Sequence, residues 1–473
     1  MTNAQACRQH AIDLALNELS NGNFYRVLGR RVAMRTVSQS TECGPMLEKY
    51  LDDEITPQLE KLGFRCQRID NPQPGMPPLL LGERLEDEAL PTLLLYGHGD
   101  VTDGQEGKWD EDIEPWKLTF VDDRVYGRGT ADNKGQHCVN LTALEAVITA
   151  RQGTLGYNVK ILFEMGEEIG SPGLEETCRR YREALKSDLF LASDGPRIRD
   201  TMPTLFLGSR GVLQFKLSLD TGNGDRHSGN WGGVITNAAA VLSNALATLV
   251  SQSGEVLVDF LKAPAISDEV SRLIRDLPVG GGASDPIIDP SWGEKALSDG
   301  ERLYGSNTLE ILALGAGSLE KPIGAVPERA EAVLQLRFVK GTDWQGAEAK
   351  LRRHLAEKGF EAIELEILGG YAATRLDPGH PWVEFVASSA EQSLGEPVHI
   401  LPNLGGTIPN HCFADVLTLP TVWLPHSYPA CNQHAPNEHL LNTIVEQGLE
   451  MATGVFWDLG EPHKRHFLSN VGA

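Results

Sequence analysis

In this 473-residue sequence, several apolar runs are followed by histidine or acidic residues. Each of these runs is a predicted strand. His98 and Asp100 come after the run LLLY, and Asp194 comes after the run LFLA. Glu167 and Glu168 come shortly after the run VKILF. Because the carboxyl ends of parallel strands form the edge of a sheet at which ligands bind, we expect these side chains to converge at one edge.

Two further candidates lie in polar loops. Asp132 lies in the glycine-rich segment DDRVYGRGTADNKG, just before a predicted helix, and His434 lies in the segment CNQHAPNEH. Taken alone, Asp132 is explained at least as well as a helix N-cap, and His434 as an ordinary loop residue. A carboxylate can, however, bridge two cations about 3.5–4 Å apart. Imidazole and carboxylate ligands without thiolate suit zinc, manganese or cobalt in a hydrolytic site, so the combined set predicts a two-metal hydrolase.

Two pairs of neighbouring residues in this set can take different roles within the pair. His98 and Asp100 are two apart, so on an extended chain they cannot both face one ligand position. One can bind a metal ion through its imidazole while the other accepts the second ring N–H and orients the ring. Glu167 and Glu168 point in different directions, which permits one to bind metal while the other handles protons. Solvated glutamates in a turn remain the alternative for that pair.

Composition favours a large globular protein of a reducing compartment. The chain has 42 Lys and Arg against 65 Asp and Glu, a net charge of −23, which opposes binding to nucleic-acid phosphates. No stretch approaches the ~18 apolar residues of a membrane helix, and the N-terminus lacks the pattern of a secretion signal. The seven cysteines form no CxxC pair, so neither a disulfide framework nor a cysteine zinc site fits. We expect a cytoplasmic protein that binds neither nucleic acid nor a membrane.

Strand and helix patterns alternate up to about residue 208, which is typical of an α/β fold with a mostly parallel sheet. The segment LQFKLSLDT then alternates apolar and polar residues, as a half-exposed antiparallel strand does. The pattern of strand, helix, strands, helix and strand that follows predicts a small α+β sandwich, and the α/β pattern returns after Pro378. We therefore predict a discontinuous catalytic domain over 1–208 and 379–473, interrupted by an inserted lid or dimerisation domain over 209–378.

The motifs GHGDV, DDRVYGRGTADNKG, EMGEEIGSPGL, SDG, RHSGNWGG, LRFV, GGTIPN and QHAPNE occur in this order between about residues 90 and 440. Their order and content resemble the M20 metallopeptidases, which include carnosinase-like dipeptidases, aminoacylases, glutamate carboxypeptidases and succinyl-diaminopimelate desuccinylases. The resemblance implies a phosphorylase/hydrolase-like catalytic domain with a ferredoxin-like insertion. It also implies cleavage of an amide or peptide bond beside a free carboxylate, by a dipeptidase or small-peptide exopeptidase. The alternatives are an N-acyl amino acid deacylase and, more distantly, a non-catalytic binder of metal or peptide.

The resemblance implies two divalent ions per subunit, zinc first, with manganese or cobalt as alternatives. Asp132 would bridge the two ions, and the other four ligands would complete the sites in pairs, His98 with Asp194 and Glu168 with His434. Two further residues would act beside the ions, Asp100 by orienting His98 and Glu167 as general base and acid. Two cations lower the pKa of a shared water from ~15.7 towards ~7, which makes hydroxide available at neutral pH.

The resemblance also assigns residues that bind the substrate, a small peptide or N-acyl amino acid. His227, in RHSGNWGG, would reach across a homodimer and contact the oxyanion in the partner's active site. Arg337 would hold the terminal carboxylate, which the planar fork of a guanidinium suits well. Gly406 and Thr407 would offer backbone and hydroxyl groups to the same carboxylate, and Asn307 would hold the substrate carbonyl.

The segment around the last ligand departs from the family's pattern. The usual aspartate-rich run is absent, and Ala435 stands where dipeptidase-like members commonly carry serine. The sequence instead places His426, Tyr428 and Gln433 close to His434 along the chain. These side chains leave the preference for the acyl group and the leaving group open.

Overall fold

The structure, a computed structural model, describes residues 3–280 and 285–465. It divides into two compact units. The first unit comprises Met1–Gly208, Leu376–Leu401 and Pro409–Ala473, and the second comprises Ser209–Arg375 and Pro402–Ile408. The chain thus leaves the first unit twice and returns to it each time, first for the long insertion Ser209–Arg375 and then for the short segment Pro402–Ile408.

The strands of the described residues are, in chain order, β1 Arg65–Ile69, β2 Leu79–Arg84, β3 Thr92–His98, β4 Thr119–Val121, β5 Arg124–Tyr126, β6 Asn158–Glu164, β7 Leu189–Ala192, β8 Thr204–Phe206, β9 Gly211–Asp220, β10 Arg226–His227, β11 Thr308–Ala316, β12 Ala325–Val326, β13 Arg329–Phe338, β14 Glu364–Tyr371, β15 His399–Leu401, β16 Thr421–Trp423 and β17 His439–Leu441. The α-helices are α1 Asn3–Ser20, α2 Asn23–Ala33, α3 Gly44–Lys49, α4 Thr56–Lys61, α5 Lys134–Ala150, α6 Leu174–Arg180, α7 Arg182–Leu185, α8 Ser228–Trp231, α9 Ala238–Leu246, α10 Asp268–Ile274, α11 Ala347–Glu357, α12 Pro381–Leu394 and α13 Asn442–Leu459.

The first unit is built on an eight-stranded sheet in the order β1-β2-β6-β3-β7-β16-β8-β15. Its centre is parallel, because β3 pairs with β6 and β7 in the same direction and β16 pairs with β7 in the same direction. Every residue of β6 and β7 is buried, as expected for strands that are covered on both faces. The predicted α/β fold with a largely parallel sheet is confirmed, and the parallel register brings the carboxyl ends of β3, β6 and β7 to one edge.

A layer of helices covers this sheet. Helices α1, α5, α12 and α13 pack on one another, and their apolar side chains share one buried cluster with the central strands. Each such leucine, valine or phenylalanine contributes about 1.5–3 kcal/mol when fully buried. Among the described residues, no helix combines the length and the apolar character needed to cross a membrane.

The second unit contains an antiparallel sheet in the order β11-β13-β9-β14. Burial alternates along β9 and β13, so that one face of the sheet packs against α9 and α11 and the other face is more exposed. The predicted small α+β sandwich is therefore confirmed. The strand β11 lies at one edge of the sheet, and most of its residues are exposed.

Two helices differ from what the sequence predicts, the first in its length and the second in its hydrogen-bond pattern. The run VITNAAAVLSNALATLVSQ suggests a long helix, but α9 spans only Ala238–Leu246. It begins there because the Asn237 side chain accepts a hydrogen bond from the Ala240 N–H at 3.1 Å, an N-cap that satisfies a free helix donor. The segment GPMLEKYLDDEITPQLEKL predicts a second helix, over 44–62. It is observed as α3 and α4, joined by a π-helical turn over Tyr50–Ile55.

Candidate metal centre

His98 closes the central strand β3 and lies fully buried at its carboxyl end. Its Nδ1 atom is 3.1 Å from the carbonyl oxygen of Asp100 and 3.3 Å from the Asp100 carboxylate. That carboxylate also accepts the backbone N–H groups of Glu167 at 3.2 Å and Glu168 at 3.1 Å. Asp100 therefore both fixes the ring of His98 and holds the turn that carries the two glutamates.

Asp132 lies in the turn that leads into α5. A Cβ atom at Gly135 would lie 2.0 Å from the carbonyl oxygen of Thr130, so this turn requires glycine. The buried Asp132 carboxylate faces two imidazoles, with Oδ1 3.1 Å from Nε2 of His98 and Oδ2 3.1 Å from Nε2 of His434. One carboxylate therefore connects the end of β3 with the loop before β17.

Two groups of metal-ligand atoms share this carboxylate. In the first, Nε2 of His98 lies 3.6 Å from Oδ2 of Asp194, which follows β7. In the second, Nε2 of His434 lies 3.0 Å from Oε2 of Glu168. Within each group the candidate ligand atoms all lie within 4.8 Å of one another, and no other such group occurs among residues 3–280 and 285–465. The structure thus brings the five predicted ligands together.

The spacing of these atoms fits first-row divalent ions. Four ligands at about 2.1 Å in a tetrahedron lie about 3.4 Å apart, close to the 3.0–3.6 Å between the imidazole nitrogens and the carboxylate oxygens. Imidazole nitrogens and carboxylate oxygens are also the donors that zinc and manganese accept. The donor set fits a pair of divalent ions that share Asp132.

The electrostatics of the site favour the same conclusion. Burial, and then the neighbouring charge of Asp132, raises the pKa of Glu168 to about 7. Hydrogen bonds to Asp132 and Glu168 raise the pKa of His434 to about 11. Such shifts show that several carboxylates are crowded with little solvent to stabilise their charge. Bound cations would offset that repulsion.

Glu167 lies beside both groups and belongs to neither. It begins a single 3₁₀ turn over Glu167–Ile169. Gly170 follows this turn, and its φ of +87° is left-handed and favours glycine. Burial raises the pKa of Glu167 well above its usual range, opposed by His98 and reinforced by Asp194. A carboxyl group that can hold a proton therefore lies next to the candidate ligands without serving as one of them.

The second unit contains the predicted carboxylate-binding residues. On β13, Arg337 donates from Nη1 to Oγ1 of Thr407 at 2.6 Å and from Nε to the side chain of Gln335 at 3.0 Å. The Thr407 hydroxyl donates in turn to the carbonyl oxygen of Arg210 at 2.8 Å. In the part of the chain that is described, no carboxylate pairs with Arg337, and burial lowers its pKa. An anionic ligand would stabilise this guanidinium, and Gly406 precedes Thr407 in the same loop.

Asn307 and His227 have different surroundings. The buried Asn307 amide donates to the carbonyl oxygen of Leu261 at 2.8 Å and to Thr342 Oγ1 at 3.0 Å, and it accepts the Val339 N–H at 2.9 Å. These bonds use both ends of the amide to join segments of the second unit, which leaves no free group for the predicted substrate carbonyl. His227 is exposed at the end of the short strand β10.

The three side chains that depart from the family's pattern near His434 lie in different surroundings. Gln433 donates from Nε2 to Oδ2 of Asp132 at 3.0 Å, whereas the Tyr428 hydroxyl lies 2.6 Å from the ring of His439. His426 is fully buried, and burial followed by the charge of Arg197 lowers its pKa well below the usual range. Of the three, only Gln433 contacts a candidate ligand. Its position next to His434 was the one feature of the sequence that placed it near the site.

Comparison with known proteins agrees with this geometry. The sequence model that describes peptidase family M20/M25/M40 matches residues 94–458 of the chain. The chain is 27% identical over 495 residues to the Beta-Ala-His dipeptidase of Mus musculus, covering 97% of this chain and 96% of that protein. It is 31% identical over 264 residues to the Cys-Gly metallodipeptidase of Schizosaccharomyces pombe, covering 53% of each.

A solved structure has a similar fold. The M20 family metallo-carboxypeptidase from Sulfolobus solfataricus superposes with a TM-score of 0.78 at 25% identity, covering 92% of this chain and 99% of that one. Since the family model matches most of the sequence, the chain belongs to peptidase family M20/M25/M40 and is an enzyme that acts on peptide bonds.

Proposed function

We propose that this chain is a metal-dependent dipeptidase or small-peptide exopeptidase that cleaves the peptide bond next to a free carboxylate. The observation that carries the proposal is the pair of ligand groups that share Asp132, with Glu167 beside them. The similarity to the mouse Beta-Ala-His dipeptidase, which extends over 97% of the chain, supports a dipeptide as the substrate.

We propose zinc as the metal, with manganese or cobalt as alternatives, because the ligands are imidazoles and carboxylates. His98, Asp132 and Asp194 would hold one ion, and Asp132 would hold the other together with Glu168 and His434. When bound, such a pair of ions polarises the peptide carbonyl and lowers the pKa of a water molecule from ~15.7 towards ~7.

The residues of the chain then move the protons. Glu167 accepts the proton of the attacking water and passes it to the nitrogen of the leaving amine, so it acts first as base and then as acid. Burial raises its pKa well above the usual range, which allows the carboxyl group to hold that proton between the two steps. Asp100 keeps the His98 ring in the orientation that binds metal, through the contact of 3.3 Å to Nδ1.

Arg337 is expected to bind the carboxylate of the substrate, with Thr407 and the backbone at Gly406 assisting. Replacing Arg337 with methionine removes a charged hydrogen bond worth about 1.5–3 kcal/mol, so we expect kcat/KM to fall about 10- to 100-fold, mainly through KM. Steady-state kinetics on dipeptides measures kcat and KM separately. The matched control is Arg329→Met, which removes an exposed arginine of the same strand that pairs with Asp220. An unchanged KM in Arg337→Met would contradict the assignment.

We propose that the protein is a homodimer. The edge strand β11 exposes three apolar side chains, Ile311 at 40%, Leu312 at 53% and Leu314 at 56%. An exposed apolar edge strand offers unpaired backbone groups to a second chain, and contiguous apolar patches of this kind mark interaction sites. In this dimer His227 would contact the oxyanion in the active site of the partner subunit.

Mixing two inactive variants tests that role. His227→Ala and Glu167→Ala are each expected to reduce turnover strongly, with metal content unchanged in both. If His227 acts across a two-fold dimer, equal mixing with subunit exchange completes one site in each mixed dimer and restores roughly a quarter of wild-type activity. Light scattering establishes the oligomeric state alongside. No recovery in a sample shown to exchange subunits, or an active monomer, would show that His227 acts otherwise.

A substrate panel tests the proposed function itself. Dipeptides and N-acyl amino acids that share the same carboxyl-terminal residue are assayed with added zinc or manganese. A dipeptidase is expected to prefer the dipeptides, because it must accept a free amino group. A clear preference for the N-acyl compounds would replace the dipeptidase with an N-acyl amino acid deacylase that uses the same ligands.

We also propose the cytoplasm as the location of the enzyme. The six cysteines whose side chains are described are all free thiols. Free thiols persist in reducing compartments, whereas secreted proteins commonly use disulfides. The acidic net charge of −23 gives no support to a nucleic-acid partner.

A further inference from the structure

A single buried carboxylate holds the loop that carries Asp132. Glu438 is 1% exposed, and its Oε1 atom accepts the backbone N–H groups of Gly129 at 3.0 Å, Ala131 at 2.9 Å and Asp132 at 3.1 Å. Its Oε2 atom accepts Nη1 of Arg128 at 2.7 Å. Four donors from five consecutive residues therefore converge on one side chain.

The same residue ends the loop that carries His434. Glu438 follows His434 by four residues and directly precedes β17. Its carbonyl oxygen accepts the Gly127 N–H at 3.0 Å, so backbone and side chain together join the two loops. Within the second loop, His434 and Asn437 have left-handed φ values of +60° and +63°. Such values in residues other than glycine persist only where the surroundings hold them.

The ion pair within this arrangement is a poor explanation of stability by itself. Arg128 and Glu438 are both almost fully buried, and the desolvation of such a pair consumes most of its attraction. Arg128 is held in place by the Asp103 carbonyl oxygen at 3.1 Å and by the ring of Trp109. The pair is better explained by what it positions, which is the backbone of Asp132.

We propose that Glu438 is a positioning residue that sets the placement of Asp132 relative to His434 and thereby the affinity for both divalent ions. This inference rests on the proposed function, because it assumes that Asp132 is shared between two ions. Glu438 belongs to neither ligand group and acts through the backbone N–H groups and the Arg128 side chain of the loop. Since Asp132 faces both His98 and His434 at 3.1 Å, a shift of that backbone disturbs both groups together.

The test is a metal titration of the full chain after its metal has been removed with a chelator. Mn²⁺ and Co²⁺ are added separately to wild type and to Glu438→Gln. In the variant the amide NH₂ must face either Arg128 Nη1 or the three backbone N–H groups, so a donor meets a donor in both orientations. We expect affinity for both ions to fall about 10- to 100-fold, as substitutions behind metal ligands typically do.

Glu86→Gln is the matched control. Glu86 also accepts two backbone N–H groups, from Leu155 at 2.6 Å and Gly156 at 2.9 Å, and it pairs with Arg84. These contacts lie before β6 begins, away from the carboxyl end of that strand, so we expect wild-type affinities. Arg128→Lys is the second variant, used if Glu438→Gln does not fold. It keeps the charge but loses the fork of the guanidinium, so we expect the affinity for both ions to fall.

Unfolding of the metal-free forms separates positioning from general stability. A purely structural role predicts a lower unfolding midpoint with unchanged affinities, and that result would overturn the inference while the proposed function stands. If wild type itself does not bind two ions, the proposed function fails and the inference fails with it. Weaker binding of both ions in Glu438→Gln or Arg128→Lys, with wild-type affinities in Glu86→Gln, supports the inference.

Discussion

Replacing Glu167 with alanine is expected to lower turnover by ~10²- to 10⁴-fold, which is the range that general acid–base catalysis supplies, while both ions remain bound. The reason is structural, because the Glu167 carboxyl group belongs to neither group of ligand atoms. Its removal takes away the proton acceptor beside the site and leaves the three ligands of each ion in place. Glu167→Gln, which keeps the size of the side chain, is expected to give a loss of similar size.

The measurement is turnover on a dipeptide together with the metal content of the same sample. Glu176→Gln serves as the control, because this exposed glutamate of the same stretch of chain pairs with Arg180 on α6. Near-normal turnover in Glu167→Ala would refute the assignment of the general base. Loss of metal together with activity would instead mean that Glu167 is a ligand.

The central strands could be predicted because burial on both faces leaves a clear pattern. The run from Leu93 to Gly97 is almost continuously apolar, and β3 covers it in the structure. The sheet formed by β4, β5 and β17 was not predicted. Each of its strands has three residues, too few for alternation to show, so their pairing depends on contacts between distant parts of the chain.

The candidate ligands could be predicted because a parallel sheet places strand ends at one edge. His98 ends β3 and Asp194 follows the neighbouring parallel strand β7, and the structure brings their side chains within 3.6 Å. The position of Glu438 could not be predicted in this way. Its function depends on the backbone of a loop about 300 residues earlier, and nothing in the local sequence around Glu438 indicates which N–H groups it accepts.

For Asn307, the sequence suggests a contact with the substrate, whereas the structure shows contacts within the protein. The family resemblance assigns its amide to the substrate carbonyl, but side-chain type and position along the chain do not reveal how an amide is used. The structure places the amide between Leu261, Thr342 and Val339. A buried amide must satisfy its own hydrogen bonds before it can serve a ligand, and these three partners do so.

Replacing Asp132 with alanine is expected to abolish binding of both ions, whereas Glu168→Ala or Asp194→Ala should weaken mainly one. Asp132 is the only residue common to the two ligand groups in the described part of the chain, and its loss leaves each ion with two protein ligands. Because a metal pair contributes several kcal/mol of transition-state stabilisation, turnover should fall by ~10³-fold or more.

Elemental analysis of purified protein measures the effect directly. Wild type is expected to hold two ions per chain, Glu168→Ala and Asp194→Ala fewer, and Asp132→Ala fewest of all. Comparison with wild type stripped of metal provides the control, because both samples should then show the same circular dichroism and the same lack of activity. An Asp132→Ala protein that keeps both ions would show that the carboxylate is not a shared ligand, and the two-metal proposal would have to be abandoned.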